Sequence, residues 1–492
     1  MMIRLVKYLI PLMACAYSCT CSTKQEIPEQ NESEVARIMK SGTLRVVLDY
    51  NSTNYFIYRG RPMGFEYEIL NHLANDMRVK LEITVRNNDE TLFQDLYDKK
   101  YDLLAKNLTI SKNKDELIEY TYPLIQPSQV LVQRKPEKWR TMNSDSVEKA
   151  LIRNQLDLEG KIIYVPKGSS QEIRLNNLSE EIGADIKIVT DSIDDIEYLI
   201  EMVSKGEIDY TVCHENIASA NKRYYPDIDV ETPVSFPQNQ AWAVRADSPE
   251  WLDYLNNWLS NFKKTSTFSI LYDKYFISSK TSSRFNSNYH SYTGGLLSPY
   301  DDLIKQLAQE ANIDWLLVAA IICQESGFDP EAQSWRGAGG LMQIMPESAE
   351  TFGTEDYLEP ANNIRTGIKL LQWLDGRFKT EIPDSTERIK FVLASYNAGI
   401  GHVHDAQRLA VKYDKSPVIW EQNVDYFILN KSLSKYYKDT VVKFGYCRGT
   451  EPFQYVTKVL DIYHHYHNVM NYRVANERLR EQFLQVKLKI KS

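Results

Sequence analysis

The 492-residue sequence predicts a multidomain protein in which a two-lobed α/β module precedes an almost wholly helical domain. Segments with strand and helix patterns alternate through residues 42–277, and residues 278–297 have the serine- and asparagine-rich composition of a linker. Helix-start signals dominate after residue 298. A hydrophobic fraction of 43% and a charged fraction of 25% are ordinary for a soluble globular protein, so the chain has enough apolar material for two cores.

The N-terminus is typical of a secretory signal peptide, which we place at residues 1–18. Two basic residues precede an apolar run that is too short to span a bilayer. The segments before Cys15 and Cys19 resemble bacterial lipoprotein processing sites. We favour Cys19 as the acylated residue, with Cys15 and Cys21 as alternatives, while a non-lipidated signal with incidental cysteines is the remaining interpretation. The polar segment 19–41 is predicted to be a flexible tether.

Cysteine content and charge exclude two classes of protein. Cys213, Cys323 and Cys447 are the cysteines outside the signal region, and an odd, sparse set in an exported protein argues against a disulfide framework. The net charge is -8 and the basic residues are scattered, so the sequence gives no sign of nucleic-acid binding.

The front module, residues 42–277, is predicted to alternate strands and helices. Its first strand, helix and second strand are predicted at Thr43–Leu48, Glu66–Met77 and Lys80–Val85. A helix that runs into a strand opened by aspartate then occurs twice, at residues 92–105 and 196–212, which indicates two lobes of parallel-type construction. Strand Gly160–Val165 leads through Pro166–Ser170 into a helix, whose free N–H groups would suit an anionic ligand group, although a plain strand–helix turn fits equally well.

The domain at residues 298–470 is predicted to be helical, with a helical tail at residues 471–492. Ser298 caps one helix, and Asp314 caps a second helix that ends at about Ser326. Further helices are predicted at Pro346–Phe352, Ile364–Phe378, Arg388–Asn397 and Tyr455–Asn468.

Four short motifs follow one another within the helical domain. They are Glu325-Ser326, then Ser334 to Pro346 with Gly337-Ala338 and Gly340-Leu341-Met342-Gln343, then Asn363-Ile364 with Gly367, and Ser395-Tyr396-Asn397-Ala398-Gly399. In this order they resemble the goose-lysozyme-like lytic transglycosylase family, which implies a lysozyme-like α+β catalytic domain. A later segment, Arg448-Gly449-Thr450-Glu451, is similar to the membrane-bound branch of that family. The resemblance covers roughly residues 298–468.

Glu325 is the candidate catalytic residue. It lies near the predicted C-terminal end of an apolar helix, where burial and the negative end of the helix dipole both raise the pKa of a carboxyl group. An acid that protonates a glycosidic oxygen needs a raised pKa. Most glycosidases use two carboxylates. The acids nearby, Asp329 and Glu331, have the pattern of surface loop residues.

The resemblance implies a mechanism that needs only one acid. In the family, the C6 hydroxyl of N-acetylmuramic acid attacks C1 of the same sugar, which gives a 1,6-anhydro end without an activated water and without a cofactor. Glu325 would serve first as the acid and then as the base. The resemblance places in the saccharide cleft Ser334, Met342, Gln343, Tyr396, Asn397 and Glu451. For Glu451, a surface salt bridge is an equal alternative.

Two histidine-rich stretches, His402-Val403-His404 and His464-His465-Tyr466-His467, do not predict a metal site. Adjacent histidines on a helix point apart, and no cysteine or acid stands at a spacing that would complete a ligand set.

The front module resembles periplasmic solute-binding proteins of the amino-acid type, on Gly64-Phe65-Glu66-Tyr67-Glu68 and Asn107-Leu108-Thr109-Ile110-Ser111. The resemblance implies a two-lobed periplasmic-binding-protein fold with ligand contacts from Tyr55, Thr109, Lys114, Ser169 and His214. Lys114 and His214 stand where the family has an arginine and an aspartate that hold the carboxylate and the ammonium group of an amino acid. Because neither residue is equivalent to the one it replaces, we expect a muropeptide or stem peptide rather than a free amino acid.

The two modules in this order resemble the membrane-bound lytic murein transglycosylase F family. The expected function is cleavage of the β-1,4 bond between N-acetylmuramic acid and N-acetylglucosamine in peptidoglycan strands, by a protein that a lipid anchor holds on the outer membrane, facing the periplasm. Two alternatives stay open, a lysozyme-type muramidase that uses water and a receptor that only binds peptidoglycan. The front module is expected to close by hinge motion, with the chain crossing between the lobes near Gln133 and near Glu231–Phe236.

Overall fold

A computed structural model of the protein describes residues 33–87, 91–110, 116–191, 195–278, 284, 287–353 and 356–491. The predicted signal peptide, the three cysteines Cys15, Cys19 and Cys21, and the candidate ligand residue Lys114 lie outside the described residues. Within the described part of the chain, no helix has both the length and the apolar composition that crossing a bilayer requires.

Among the residues that the structure describes, the strands belong to the front module. They are β1 Thr43–Leu48, β2 Phe56–Tyr58, β3 Arg61–Met63, β4 Lys80–Val85, β5 Leu103–Thr109, β6 Ile118–Tyr120, β7 Gln129–Arg134, β8 Ile162–Pro166, β9 Lys187–Asp191, β10 Tyr210–His214, β11 Ile228–Pro233 and β12 Gln240–Arg245. The helices of the front module are α1 Glu34–Ser41, α2 Phe65–Met77, α3 Leu92–Tyr97, α4 Ser144–Lys149, α5 Ser170–Ile182, α6 Ile196–Lys205, α7 Glu215–Lys222, α8 Pro249–Phe262 and α9 Ser266–Tyr272.

Two five-stranded sheets form the two lobes. Lobe one has the strand order β4-β1-β5-β12-β6, and lobe two has the order β11-β7-β10-β8-β9. Strand β1 is parallel to β4 and β5, and it is buried along most of its length, as its run of apolar residues predicts. The predicted strands Thr43–Leu48 and Lys80–Val85 are confirmed.

The crossings between the lobes lie on either side of lobe two. The chain leaves lobe one after β6 and enters lobe two at β7, then returns between β11 and β12. The predicted first crossing near Gln133 is wrong, because Gln133 lies inside β7 and pairs with Tyr210 of β10. The second crossing falls between Pro233 and Gln240, so it begins within the predicted segment Glu231–Phe236 and continues beyond it.

The predicted flexible tether is wrong for its last eight residues, because these form helix α1. The Ser33 side chain accepts a hydrogen bond from the Ala36 N–H and caps the helix, and Ile38 is completely buried against lobe one. Arg37 forms an ion pair with the buried Asp102. The polar composition did not predict this helix, because an amphipathic helix needs only one apolar face to pack against a neighbouring lobe.

Part of the predicted linker 278–297 is also packed rather than free. The Ser291 hydroxyl accepts hydrogen bonds from the Ile57 N–H at 2.8 Å and from the Tyr50 hydroxyl at 3.0 Å. Leu297 is completely buried. These contacts attach the second half of the segment to lobe one. The serine- and asparagine-rich composition predicted a linker but did not predict this attachment.

The second domain is helical in the described residues. Its helices are α10 Asp301–Glu310, α11 Trp315–Glu325, α12 Pro346–Phe352, α13 Pro360–Phe378, α14 Ser385–Ala398, α15 Ile400–Lys412, α16 Asp425–Asn430, α17 Ser434–Tyr437 and α18 Thr450–Lys491. Helix α12 matches its predicted bounds, whereas α18 extends the predicted helix Tyr455–Asn468 in both directions and continues through the predicted tail.

Helix α18 packs along the front module as well as on its own domain. Lys80 of β4 forms an ion pair with Asp461 at 2.7 Å, and the Asn468 side-chain amide donates to the Ile83 carbonyl at 2.6 Å. One continuous hydrophobic core accordingly joins lobe one to the helical domain, from Ile38 to Val469. The hydrophobic clusters of lobe two are separate from that core.

Candidate active site

Glu325 is the last residue of α11, the most apolar helix of the second domain. The Asp314 side chain caps this helix by accepting a hydrogen bond from the Leu316 N–H at 2.9 Å. Every residue from Leu316 to Cys323 is buried. Ser326 is the C-cap residue that follows the helix, so the half-buried Glu325 carboxyl group lies where the apolar core meets the surface. The prediction of a carboxyl at the end of a buried helix is confirmed.

Burial raises the pKa of Glu325 to about 7, and a hydrogen bond from Tyr455 opposes that shift. The Tyr455 hydroxyl donates to Glu325 Oε1 at 2.6 Å. Near neutral pH a carboxyl group with this pKa is present in both protonation states, so it can give up a proton and take one back. The sequence pattern predicted Tyr455 as the first residue of a helix and did not predict this contact.

Tyr396 lies beside Tyr455 at the end of α14. The two rings are nearly parallel, with centroids 6.5 Å apart. The Tyr396 hydroxyl donates to the Met342 carbonyl at 2.7 Å rather than to Glu325. Burial, and then the nearby Glu325 carboxylate, raise the pKa of Tyr396 well above its usual value, so this hydroxyl stays a donor. Tyr396 therefore ties the motif around Met342 to the surroundings of Glu325.

The glycine-rich motif forms a tight loop next to Glu325. The Ser334 hydroxyl accepts from the Ala338 N–H at 3.0 Å, and the Gln343 side-chain amide donates to the Ala332 carbonyl at 2.8 Å. The Ser326 hydroxyl donates to the Leu341 carbonyl at 2.8 Å and attaches this loop to the end of α11. The side chains of Ser334 and Gln343 thus hold the loop in shape.

Gly340 shows why this loop contains glycine. Its φ angle of +77° is in the left-handed region, and a Cβ atom there would lie 2.4 Å from the Asn363 side-chain nitrogen. Asn363 uses its amide to hold the loop, because it accepts from the Met342 N–H at 2.7 Å and donates to the Gly339 carbonyl at 3.0 Å. The Met342 side chain is completely buried, so Met342 contributes its backbone groups to this network.

Two of the predicted cleft residues are exposed. Asn397 lies near the end of α14 and is exposed to solvent. Glu451 forms an ion pair with Arg448 at 3.0 Å in the first turn of α18, and both side chains are more than half exposed. This ion pair agrees with the salt-bridge interpretation of Glu451, although such exposed pairs stabilise a fold only weakly, and contact of Glu451 with the saccharide stays a prediction.

The histidines have individual partners. His402 contacts the buried Lys431 through Nδ1 at 2.8 Å, and His467 contacts Asp314 at 3.0 Å. His465 contacts the Tyr55 hydroxyl at 2.7 Å. Among the residues that the structure describes, no group of three histidine, cysteine or acidic side chains is placed to hold a metal ion.

Three of the ligand residues predicted in the front module lie close to the two crossings. Thr109 pairs with Gln240 across β5 and β12, and His214 pairs with Gln129 across β10 and β7. Gln129 bonds Gln238 of the second crossing at 2.9 Å and also approaches Ser170, the residue after Ser169. The hinge surface therefore carries polar side chains from both lobes.

Several of these hinge atoms are buried and have no hydrogen-bond partner. They are Thr109 Oγ1, His214 Nδ1, Gln129 Oε1, and both side-chain polar atoms of Gln240. Buried polar groups are normally paired, so such a set marks a surface that a ligand or water completes. Burial lowers the pKa of His214 to about 4, so its ring is neutral. Sequence reasoning missed Gln129 and Gln240, whose only signal was a polar residue inside an apolar strand.

The structure corrects one expectation for the front module and decides another. Tyr55 is completely buried and its hydroxyl bonds His465 of α18, so it lies in the contact between the domains and not on the hinge surface. For the start of α5, an anion site and a plain strand–helix turn were equal alternatives, and the structure has the features of the turn. Ser169 accepts from the Glu172 N–H, and the Glu172 carboxylate accepts from the Gly168 N–H at 2.6 Å. The N-terminus of α5 is therefore capped by side chains at its own start.

The front module also contacts helix α11, which carries Glu325. The hairpin of β2 and β3 places the Gly60 carbonyl where the Cys323 thiol donates to it at 3.3 Å and the Tyr466 hydroxyl at 2.7 Å. Cys323 is two residues before Glu325. A contact made by a loop of the first module therefore supports the end of the helix that carries the candidate catalytic acid.

Comparison with protein families finds two matching models. Residues 43–278 match the bacterial extracellular solute-binding proteins, family 3, and residues 302–419 match the transglycosylase SLT domain. The membrane-bound lytic murein transglycosylase F of Desulfosudis oleivorans is 32% identical over 428 residues, which are 87% of this chain and 90% of the relative. The protein of the same name from Pseudomonas putida strain GB-1 is 30% identical and covers 88% of this chain and 87% of the relative.

Solved structures resemble the front half of the chain. A P235GK mutant of the arginine-binding protein from T. maritima is 23% identical, covers 50% of this chain and 100% of its own, and superposes with a TM-score of 0.42. The ancestral amino-acid-binding protein AncCDT-1 is 24% identical, with the same coverage and TM-score.

Proposed function

The chain belongs to the membrane-bound lytic murein transglycosylase F family, and on that premise we propose that Glu325 alone supplies both the acid and the base of its reaction. The protein is a peptidoglycan lytic transglycosylase with an N-terminal module of the solute-binding type. The observation that supports Glu325 is its half-buried carboxyl group at the end of α11, where burial raises its pKa to about 7.

The proposed reaction has two steps. Protonated Glu325 gives its proton to the glycosidic oxygen while the bond from that oxygen to C1 of N-acetylmuramic acid breaks. The Glu325 carboxylate then takes the proton of the C6 hydroxyl as that oxygen bonds to C1, which closes the 1,6-anhydro ring. The proton count balances, and Glu325 returns to its starting state. Tyr455 holds the carboxyl group in place, and the loop around Ser334 and Gln343 supports the proposed cleft.

The product distinguishes this reaction from hydrolysis. Purified protein that lacks the signal peptide is expected to release muropeptides with 1,6-anhydro ends from peptidoglycan sacculi, because the attacking oxygen comes from the substrate itself. Mass spectrometry separates these ends from reducing ends, which are heavier by one water. Reducing N-acetylmuramic acid as the main product would favour the muramidase alternative instead.

For the front module, we propose a peptide-like ligand at the hinge surface of Thr109, Ser169 and His214, with Lys114 as a further contact. The unpartnered atoms described there are uncharged amide, hydroxyl and imidazole groups, which suit the amide groups of a stem peptide. A free amino acid carries two full charges that call for charged partners. In calorimetry with the full chain, muropeptides are therefore expected to bind, and His214→Gln is expected to weaken that binding by about tenfold or more. Muropeptide binding that is unchanged in His214→Gln would contradict the proposal.

We further propose that a lipid on Cys19 anchors the protein in the outer membrane, facing the periplasm, with Cys15 and Cys21 as alternative sites. The relatives carry membrane-bound in their names, and the signal-like N-terminus supports the same location. Replacement of the three cysteines together by serine is expected to move the protein from the membrane fraction to the soluble periplasmic fraction on immunoblots. Persistent membrane association of that variant would argue for another anchor.

A further inference from the structure

A cavity of about 250 Å³ lies where four parts of the chain meet. Its walls come from α6, α7, the packed segment Tyr292–Gly295 and helix α18, and Tyr50 of lobe one also borders it. Neither Glu325 nor the hinge residues Thr109, Ser169 and His214 line it. The cavity is therefore separate from the active site and from the proposed peptide site.

The wall formed by α18 presents hydrogen-bond donors that have no acceptor. The unpartnered buried atoms are the Tyr472 hydroxyl, the Asn476 side-chain nitrogen and Arg480 Nε. Asn476 is only 9% exposed, so solvent does not satisfy its amide. Arg473 borders the cavity on the same helix. The two guanidinium groups of this wall already have partners, Arg480 in Asp195 and Arg473 in the Gly295 carbonyl, so the unmet donors beside them are the groups that suit a carboxylate.

The opposite wall presents acceptors. Asn221 of α7 is completely buried, and its side-chain oxygen has no hydrogen-bond partner. Glu201 of α6 adds a carboxylate whose described ion pair is with Lys205, on its own helix. Burial raises the pKa of Glu197 to about 8, and the Ser52 hydroxyl donates to it at 2.7 Å. An ammonium group would satisfy the Asn221 oxygen and pair with Glu201.

The remaining acidic residues at the cavity do not change this arrangement of donors on α18 and acceptors on α6 and α7. Asp195 is neutralised by Arg480 at 2.5 Å, and it also accepts a hydrogen bond from the Tyr292 hydroxyl. Glu477 is at the exposed rim of the α18 wall, 4.0 Å from Arg473. Buried donors and acceptors are normally satisfied in a native protein, and here residues of both unsatisfied sets line one cavity.

We propose that this cavity binds a small zwitterion of the amino-acid or dipeptide type, with its carboxylate against α18 and its ammonium group against α6 and α7. The volume of about 250 Å³ accommodates a ligand of this size. The ligand would join lobe two to the C-terminal helix through charge-assisted hydrogen bonds at both of its ends.

The experiment uses the full chain without its signal peptide and three matched probes. L-alanyl-L-alanine carries both charges, its C-terminal amide lacks the carboxylate, and its N-acetyl form lacks the ammonium group. Titration calorimetry is expected to detect the dipeptide at millimolar or lower concentration and to show affinities weaker by about tenfold or more for the two blocked probes. If no dipeptide binding is detected, or if a blocked probe binds as tightly, the proposal is overturned.

Variants locate the binding. Asn476→Leu removes an unmet donor at nearly constant size, and Glu201→Gln removes the acceptor charge, so each is expected to weaken dipeptide binding by about tenfold. The control Glu231→Gln changes an exposed acid of the same lobe and is expected to bind normally. Thermal melting shows whether each variant is folded. If His214→Gln abolishes binding while the two cavity variants retain it, the dipeptide occupies the hinge surface and the cavity is not its site.

Discussion

Replacement of Glu325 by glutamine is expected to lower the rate of peptidoglycan cleavage by about 100-fold or more, because the proposed mechanism has no other proton donor. The amide is nearly isosteric, and its oxygen can still accept the hydrogen bond from Tyr455 that the carboxyl group accepts at 2.6 Å. Release of soluble muropeptides from sacculi measures the rate. Glu331→Gln, at an exposed acid in the following loop, is the matched control and is expected to cleave normally.

The pH dependence follows from the direction of the pKa shift. Glu325 must be protonated to act as the acid, so activity is expected to fall as the pH rises through about 7. Tyr455→Phe removes a hydrogen bond that lowers this pKa, and it should move the alkaline limb of the pH profile to higher pH. A glutamine variant that keeps substantial activity, or an alkaline limb unmoved in Tyr455→Phe, would place the acid elsewhere.

The same shift affects stability with a defined sign. The pKa of Glu325 is raised from 4.5 when unfolded to about 7 when folded, so the native state binds the extra proton between these values. Its contribution to the free energy of unfolding is therefore lost as the pH rises from about 4.5 to about 7. Glutamine does not ionise, so Glu325→Gln should not show this loss.

Gly60→Ala is expected to reduce the free energy of unfolding by about 2–4 kcal/mol, which adds the strain of a left-handed residue to the cost of overpacking. Gly60 has a φ angle of +75°, and a Cβ atom there would lie 2.4 Å from the Phe328 ring and 2.8 Å from the Tyr466 hydroxyl. Both neighbours are buried, so neither can move aside into solvent. Denaturant unfolding followed by fluorescence measures the loss.

Gly42 provides the matched control. Its φ angle is +68°, close to that of Gly60, but a Cβ atom there would meet nothing within 4 Å. Gly42→Ala is therefore expected to cost only about 1 kcal/mol, from backbone strain alone. Equal losses in the two variants would mean that the hairpin does not press against the helical domain, and the contact between Gly60 and Cys323 would lose its structural importance.

Sequence patterns predicted the structural features that depend on residues close together in the chain. Asp314 and the apolar run after it predicted helix α11 and placed Glu325 at its end, as the structure has it. The contact between Glu325 and Tyr455 joins residues 130 positions apart, and no local pattern encodes such a pair. Helix α1 was missed because a short helix with one buried face has the composition of a tether.

The resemblance to solute-binding proteins predicted the position of some residues of the front module and not of others. It identified Thr109 and His214, which lie at the hinge, but it assigned Tyr55 to ligand contact although α18 covers that residue. A resemblance to single-module receptors carries no information about a second domain that packs on the receptor. The predicted helix Tyr455–Asn468 and the predicted helical tail are one continuous helix, α18, and its later turns contact front-module residues far away in sequence, such as Asp195.

The core that runs from Ile38 to Val469 has a consequence for cooperativity. Residues that share one core lose their packing together, so lobe one and the catalytic domain form a single cooperative unit although they lie on opposite sides of the linker in sequence. Lobe two, between Gln129 and Pro233, has its own clusters, so we expect it to open as a separate unit when attachments such as the ion pair between Asp195 and Arg480 break. The boundary of cooperative folding in this chain is therefore expected inside the front module, at its two crossings.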